Sequence, residues 1–210
     1  MTMTETTTTE TSSALLELTW RQLADLSSAG ASAATDQARV MLTGVHLFTR
    51  AGHLIAEATD SYSLVRVSIE SDAPELDVIA PATWLDNARK AFKVAKSPDR
   101  PITLTITGTT PETRTVTATD GATTLVTPAI FGTWPRTDQL IPEEKDYTAE
   151  LGAFNPQFLA RMAKILPPDG PKDTTRAWRT LSMSRTKPAV WSTTNHRADA
   201  MFLLMPVRVD

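Results

Sequence analysis

Ala58-Thr59-Asp60-Ser61-Tyr62-Ser63-Leu64-Val65 and Ala118-Thr119-Asp120-Gly121-Ala122-Thr123-Thr124-Leu125-Val126 are the two stretches that decide the fold. Each joins two strand-like runs through a turn opened by Asp, whose carboxylate bonds its own backbone. The second contains Asp-Gly, a strong hairpin signal because Gly accepts positive φ. The same Ala-Thr-Asp turn twice, each time followed shortly by Leu-Val, marks an internal duplication.

Working outward from the first turn, the alternation predicts strands over Val40–Phe48, His53–Ala58 and Tyr62–Ile69, with Arg50-Ala51-Gly52 as the other turn. Before them lies a strand, Leu15–Leu18, and then a helix start at Thr19. Thr19 and Gln22 have capping-box spacing, and Trp20, Leu23 and Leu26 follow at helical intervals. Around the second turn the plan repeats. Strand Leu76–Ile79 leads to Pro81, suited to a first helical turn, and Trp84, Leu85, Ala88, Ala91, Phe92 and Ala95 line one side of a helix. Strands Ile102–Thr107, Arg114–Ala118 and Thr123–Thr127 complete the unit. A third stretch reads alike: strand Tyr147–Phe154, an Asn155-Pro156 helix start, and an apolar side of Phe158, Leu159, Met162, Ile165 and Leu166. Pro167-Pro168 stops that helix, and strands follow around Trp178–Ser184, Ala189–Ser192 and Ala200–Val209. The expected class is α+β: three β-α-β-β-β units with helices on one face of antiparallel sheet. The expected division is a Thr-rich disordered tail at 1–13, a two-unit domain at 14–146 and a half domain at 147–210.

Composition narrows the function. The 210 residues include no Cys, which excludes disulfides, thiolate metal sites and a thiol nucleophile and suggests a reducing, cytoplasmic setting. No apolar run approaches the ~20 residues of a membrane span. The net charge of −3 argues against coating nucleic acid through overall charge. That charge is unevenly spread, with 4 basic and 8 acidic residues in 1–70, 8 and 11 in 71–146, and 9 and 5 in 147–210. An acidic front and basic back are either indifferent solvated surfaces, a head-to-tail attraction between copies, or one basic face turned to a polyanion. The helices carry Arg21, Arg89, Lys90, Lys93, Lys96, Arg161 and Lys164 against only Asp25 and Asp86. Such a face is either solvated or contacts phosphates with little sequence preference.

Chemistry leaves no trace. No Gly-rich phosphate loop, nucleophile elbow or His-Glu-x-x-His pattern occurs. His46, His53 and His196 lack metal-ligand spacing. Asp60 and Asp120 sit at turns, where a backbone role outweighs an acid–base pair. The expectation is a protein with no catalytic residue, metal or cofactor.

Three segments together resemble the bacterial DNA polymerase III beta sliding clamp family. Leu42-Thr43-Gly44-Val45-His46-Leu47 with Ala58-Thr59-Asp60-Ser61-Tyr62-Ser63-Leu64 is similar to the family's Gly-Val strand and its Ala-Thr-Asp-Gly-His-Arg-Leu signature. Gly132-Thr133-Trp134-Pro135, running to Leu140-Ile141-Pro142, is similar to the stretch closing the family's middle domain. Phe202-Leu203-Leu204-Met205-Pro206-Val207-Arg208-Val209 is similar to the Tyr-x-x-Met-Pro-x-Arg-Leu ending. The resemblance implies a clamp fold and a non-enzymatic processivity factor. Helices would face duplex DNA, and peptides of DNA polymerase and other clamp-binding proteins would dock in a hydrophobic cleft. Carried over by position, that cleft comprises Thr59, Ser61, Tyr62, Ser63 and Leu64, then Pro135, Gln139 and Leu140, then Leu203, Leu204, Met205, Pro206, Val207 and Arg208. Ser61 and Ser63 depart from the family's Gly and Arg, and Arg136-Thr137 from its Asp-Tyr, which bears on peptide preference.

A clamp subunit has six such units and a two-subunit ring twelve, so three units per chain imply a homo-oligomer, a head-to-tail ring of four. The first domain finds no counterpart beyond the Thr-rich tail. The alternative expectation is a non-encircling mimic that binds replication proteins and regulates or inhibits host replication.

Overall fold

The computed structural model describes residues 13–93, 97–168 and 177–208. Of the tail expected at 1–13, residues 1–12 lie outside them, as do Ala95, Lys96 and Val209, while Ser13 opens the first strand instead of ending a tail.

Strand β1 (Ser13–Thr19) runs into helix α1 (Trp20–Ser27), and the expected capping box is formed: Thr19 Oγ1 accepts from Gln22 N, and Gln22 Oε1 from Thr19 N. Strands β2 (Gly44–Arg50), β3 (His53–Thr59) and β4 (Ser63–Glu70) follow as a meander. The second unit repeats this with β5 (Asp77–Pro81), α2 (Ala82–Ala91), β6 (Pro101–Thr107), β7 (Thr115–Thr119) and β8 (Thr124–Pro128). The third supplies a short helix α3 (Pro156–Leu159), then β9 (Arg179–Ser182), β10 (Ala189–Thr194) and β11 (Ala198–Leu204).

The two duplicated units exchange strands. β1 of the first unit pairs with β6, giving a sheet β1-β6-β7-β8, while β5 of the second unit pairs with β2. Neither unit therefore completes its sheet alone. The other sheet, β5-β2-β3-β4-β11-β10-β9, continues from the first unit into the third. Its seam is the antiparallel ladder of β4 and β11, running from Ser63↔Leu204 to Ala198↔Ile69.

The helices cover one face of both sheets. Leu23 and Leu26 of α1, Leu85 and Ala88 of α2, Phe92, Ile165 and Leu166 join one core with Val65, Val67, Leu104, Val116 and Phe202. Trp20 Nε1 donates to Arg89 O at 2.8 Å and ties α1 to the end of α2.

Four expected elements differ. Val40–Thr43 belongs to a 3-10 turn, Gln37–Thr43, because Asp36 caps it through Ala38 N and Val40 is exposed rather than turned to a core. Tyr147–Phe154 makes only isolated bridges, Ala149↔Met183 and Ala153↔Val207, and its Leu151 is 86% exposed. The third helix tightens after one turn into a 3-10 stretch, Ala160–Lys164. The last strand stops at Leu204, two residues before Pro206, which has no N–H to donate.

Candidate peptide cleft and helix face

The two Ala-Thr-Asp turns are one device built twice. Asp60 Oδ1 accepts from Tyr62 N (3.0 Å) and Ser63 N (2.8 Å), and Thr59 Oγ1 donates to Ser63 O (2.8 Å). Asp120 Oδ1 accepts from Ala122 N (3.0 Å) and Thr123 N (2.7 Å), and Thr119 Oγ1 donates to Thr123 O (3.0 Å). Each carboxylate also meets one arginine, Arg161 at 2.6 Å for Asp60 and Arg100 at 3.0 Å for Asp120. The backbone N–H bonds of the turn, Thr123's foremost, hold the Asp120 carboxyl below its ordinary range. Both aspartates are thus turn anchors.

Around the first turn the three expected cleft segments converge. Tyr62 O accepts from Met205 N at 2.9 Å, so the end of the chain is tied to the turn. Leu64 lies opposite Leu203 across the seam, and the two form a small buried cluster with Val190, against which Ile141, Leu181 and Met201 pack. Tyr62 is 60% exposed and stacks on Phe158 of α3, whose ring also carries the Arg161 guanidinium 4.5 Å from its centre. Leu140, Met205 and Val207 expose their apolar side chains beside this floor, and Pro206 is half-buried. An apolar surface with Met and an aromatic ring over a buried Leu cluster suits a short apolar peptide.

The remaining expected cleft residues are sorted by burial. Thr59, Ser63, Leu64, Leu203 and Leu204 are buried and form the frame; Leu204 faces the main core and Ser63 bonds Ser32 and Arg161. Ser61 is exposed and accepts from Arg39 Nη1 at 2.6 Å, while Arg208 is exposed. Pro135 and Gln139 line an adjoining groove of about 810 Å³ with His46, Phe48, Arg50 and Trp134. Phe158, Ile141 and Met201 were not anticipated as site residues. Ile141 stands in Leu140-Ile141-Pro142 and Phe158 on the third helix's apolar side, but nothing in a linear pattern brings either to the turn.

The 131–141 segment is fastened by a buried charge. Glu57 is wholly buried and accepts from Trp134 Nε1 (2.7 Å), Thr137 Oγ1 and Arg66 Nε (2.6 Å). Arg66 reaches on to Asp138 at 2.7 Å, which also meets Arg50 at 3.0 Å. The Arg66 hydrogen bond, and then that of Arg50, hold the Asp138 carboxyl below its ordinary range against a burial cost of opposite sign.

On the helix face Lys93 and Lys164 are exposed. Arg89 and Lys90 both reach Asp86, at 2.6 and 2.5 Å, one carboxylate for two cations. Burial would raise the Asp86 carboxyl, but the hydrogen bonds from Lys90 and Arg89 outweigh it and leave it low. Arg21 stands 3.7 Å from Asp99. Arg89 and Lys164 share the rim of a depression of about 660 Å³ floored by Ala24, Gly30 and Ala82. Arg161 differs from the expectation: its guanidinium is turned to Asp60 and Ser63 in the cleft frame, because the buried Asp60 carboxylate needs a cation. Among the described residues, no cluster of three or more His, Asp or Glu is placed to hold a metal, and no helix is long and apolar enough to cross a membrane.

Known proteins carry the same architecture. The Bacillus subtilis DNA polymerase sliding clamp superposes on 93% of the chain with a TM-score of 0.72 at 17% identity. The DNA polymerase III beta chain of Streptococcus pneumoniae covers 100% of the chain at 0.70 and 18%. The beta sliding clamp of Lactococcus lactis is 32% identical over 120 residues, 56% of this chain and 30% of that protein. The chain thus spans about a third of the Lactococcus clamp in sequence and 64% of the Bacillus clamp in structure. Residues 23–136, more than half the chain and the strand-exchanged pair from within α1 onward, match the DNA polymerase III beta subunit, central domain, and the protein belongs to that family.

Proposed function

We propose that the protein is a non-catalytic, sliding-clamp-like processivity factor: its helices sit on duplex DNA and its cleft tethers a DNA polymerase or another protein through a short apolar peptide. Four copies supply the twelve units of a clamp ring, and the setting is the cytoplasm, where the DNA is. The observation that carries this reading is the convergence of three segments distant in sequence: the Thr59–Tyr62 turn, Leu140-Ile141, and Leu203–Val207.

The test is fluorescence anisotropy of a labelled peptide bearing the clamp-binding tail of a bacterial replicative polymerase. Met205→Ala and Leu140→Ala remove exposed contacts and should each weaken binding by about 1–2 kcal/mol, roughly ten-fold, without lowering the melting temperature. Leu64→Ala is a poor probe, since truncating a fully buried Leu costs about 2–5 kcal/mol of fold stability. Equal peptide affinity in wild type and both exposed-site variants would remove the cleft assignment. Peptide binding with no retention on circular duplex DNA would favour the non-encircling regulator.

A further inference from the structure

We infer that the outer edge of β8 pairs antiparallel and two-fold symmetrically with β8 of a second copy of this chain, centred on Val126. This contact is independent of the cleft and rests only on strand geometry.

The seam inside the chain is the template. β4, the last strand of the first unit, pairs antiparallel with β11, the last strand of the third. β8 is the last strand of the second unit and is β4's duplicate residue for residue. Thr59↔Leu64, Ala58↔Val65 and Glu57↔Arg66 on β3–β4 answer Thr119↔Thr124, Ala118↔Leu125 and Thr117↔Val126 on β7–β8. Among the described residues β8 pairs with β7 alone, so its other edge is open. By the template, that edge takes a last strand. Within the chain β4 and β11 are already paired with each other, which leaves another copy's β8.

The ladder alternation fixes which groups are on offer. Ala129 N donates to Arg114 O and Asp120 N to Thr123 O, so the odd-numbered residues of β8 bond inward to β7. The N–H and C=O of Thr124 and Val126 and the C=O of Pro128 point outward. On β4 the same parity holds: Met205 N donates to Tyr62 O, and the even-numbered residues face β11. The middle of that seam is Arg66↔Met201, and Arg66 corresponds to Val126. Centring a β8 pair there sets Val126 against Val126 of the second copy and Thr124 against its Pro128, whose missing N–H falls at the ladder's end.

Only Pro128, at the end of this five-residue strand, blunts the edge. Thr124-Leu125-Val126-Thr127-Pro128 carries no charge, and Val126 is 60% exposed, whereas protected edges usually present charged residues. Identical uncharged edges meeting on a two-fold create no like-charge repulsion. Such a contact joins three units of one copy to three of the other as 3-1-2-2-1-3, half of a twelve-unit ring.

Solution mass of the full chain is the first test, from low micromolar to several hundred micromolar. It should rise from 22.9 kDa toward twice that value. The chain has no native Cys. A Val126→Cys variant should cross-link to itself under mild oxidation, since a hydrogen-bonded pair spaces its Cα atoms by about 5.5 Å, within disulfide reach. It should do so roughly ten-fold faster than Lys145→Cys on an exposed turn. Val126→Lys and Val126→Pro should stay at monomer mass with unchanged far-UV circular dichroism, since the side chain is exposed and the N–H faces away from β7. Wild type at monomer mass throughout, dimers that survive both substitutions, or equal cross-linking at Lys145 would each overturn the contact. Peptide affinity measured on monomeric Val126→Lys reports on the cleft separately.

Discussion

Ser61 holds φ at +79°, the left-handed region, at the position where the duplicate turn has Gly121 at +86°. For a residue with a Cβ that conformation costs about 1–2 kcal/mol. The turn keeps it because Asp60 and Thr59 lock the flanking amides and Arg39 bonds the Ser61 hydroxyl. Ser61→Gly should therefore raise the melting temperature by a few degrees, and Ser61→Val should lower it, as read by calorimetry. Asp60 and Asp120 make the same backbone bonds, but removing them has unequal consequences. Asp60 is buried against Arg161 and Ser63, so Asp60→Ala strands a partly buried guanidinium and should cost about 3 kcal/mol. Asp120→Ala should cost less in the same urea titration, because Arg100 is the more exposed of the two arginines and keeps its bond to the Asp120 backbone O.

At the scale of elements, the segment 131–141 has no regular structure beyond a 3-10 turn, and its place depends on Glu57. Glu57→Gln keeps the shape but leaves Arg66 facing a neutral amide in a buried site; a loss of about 3 kcal/mol is expected, with Trp134 fluorescence shifting as the segment loosens. Asp138 adds a pH dependence of known sign. Its folded carboxyl is held low by Arg66, so the unfolded chain binds the proton more readily. The stability it adds is present above the ordinary aspartate range and fades as pH falls through the depressed folded value. Asp138→Asn should flatten that acid limb in urea titrations between neutral pH and pH about 3. Elements with local signals were legible in sequence: the Thr19–Gln22 box, the Asp-anchored turns and the alternating strands. Val40–Thr43 reads as a strand because its apolar residues resemble one, while the cap that overrides them, Asp36, lies outside the run. Strand exchange between units, the burial of Leu64 and Leu203, and the Phe158–Tyr62 stack depend on which edges meet, and no spacing within one segment encodes that.

At the scale of the whole molecule, charges of the acidic front and basic back, for which attraction between copies is one of three readings, meet within one chain. Asp25 pairs with Arg197 at 2.9 Å and Asp60 with Arg161 at 2.6 Å, each across the seam between the first and third units. Two basic side chains of the third unit thus help hold it on the first, and those two charges are not available to a head-to-tail contact. On the helix face expected to meet a polyanion, Lys93 and Lys164 are exposed and Arg89 and Lys90 share one carboxylate. This separates two roles that the sequence grouped together. Each lysine that neutralises a phosphate contributes about 0.9 to the slope of log affinity for duplex DNA against log salt. Lys93→Gln with Lys164→Gln should lower that slope by about 2 per bound copy and leave the melting temperature unchanged. Arg161→Gln should do the reverse, lowering the melting temperature through the stranded Asp60 while the salt slope stays at the wild-type value. A slope that falls equally in both variants would place Arg161 on the DNA and dissolve the distinction between cleft frame and helix face.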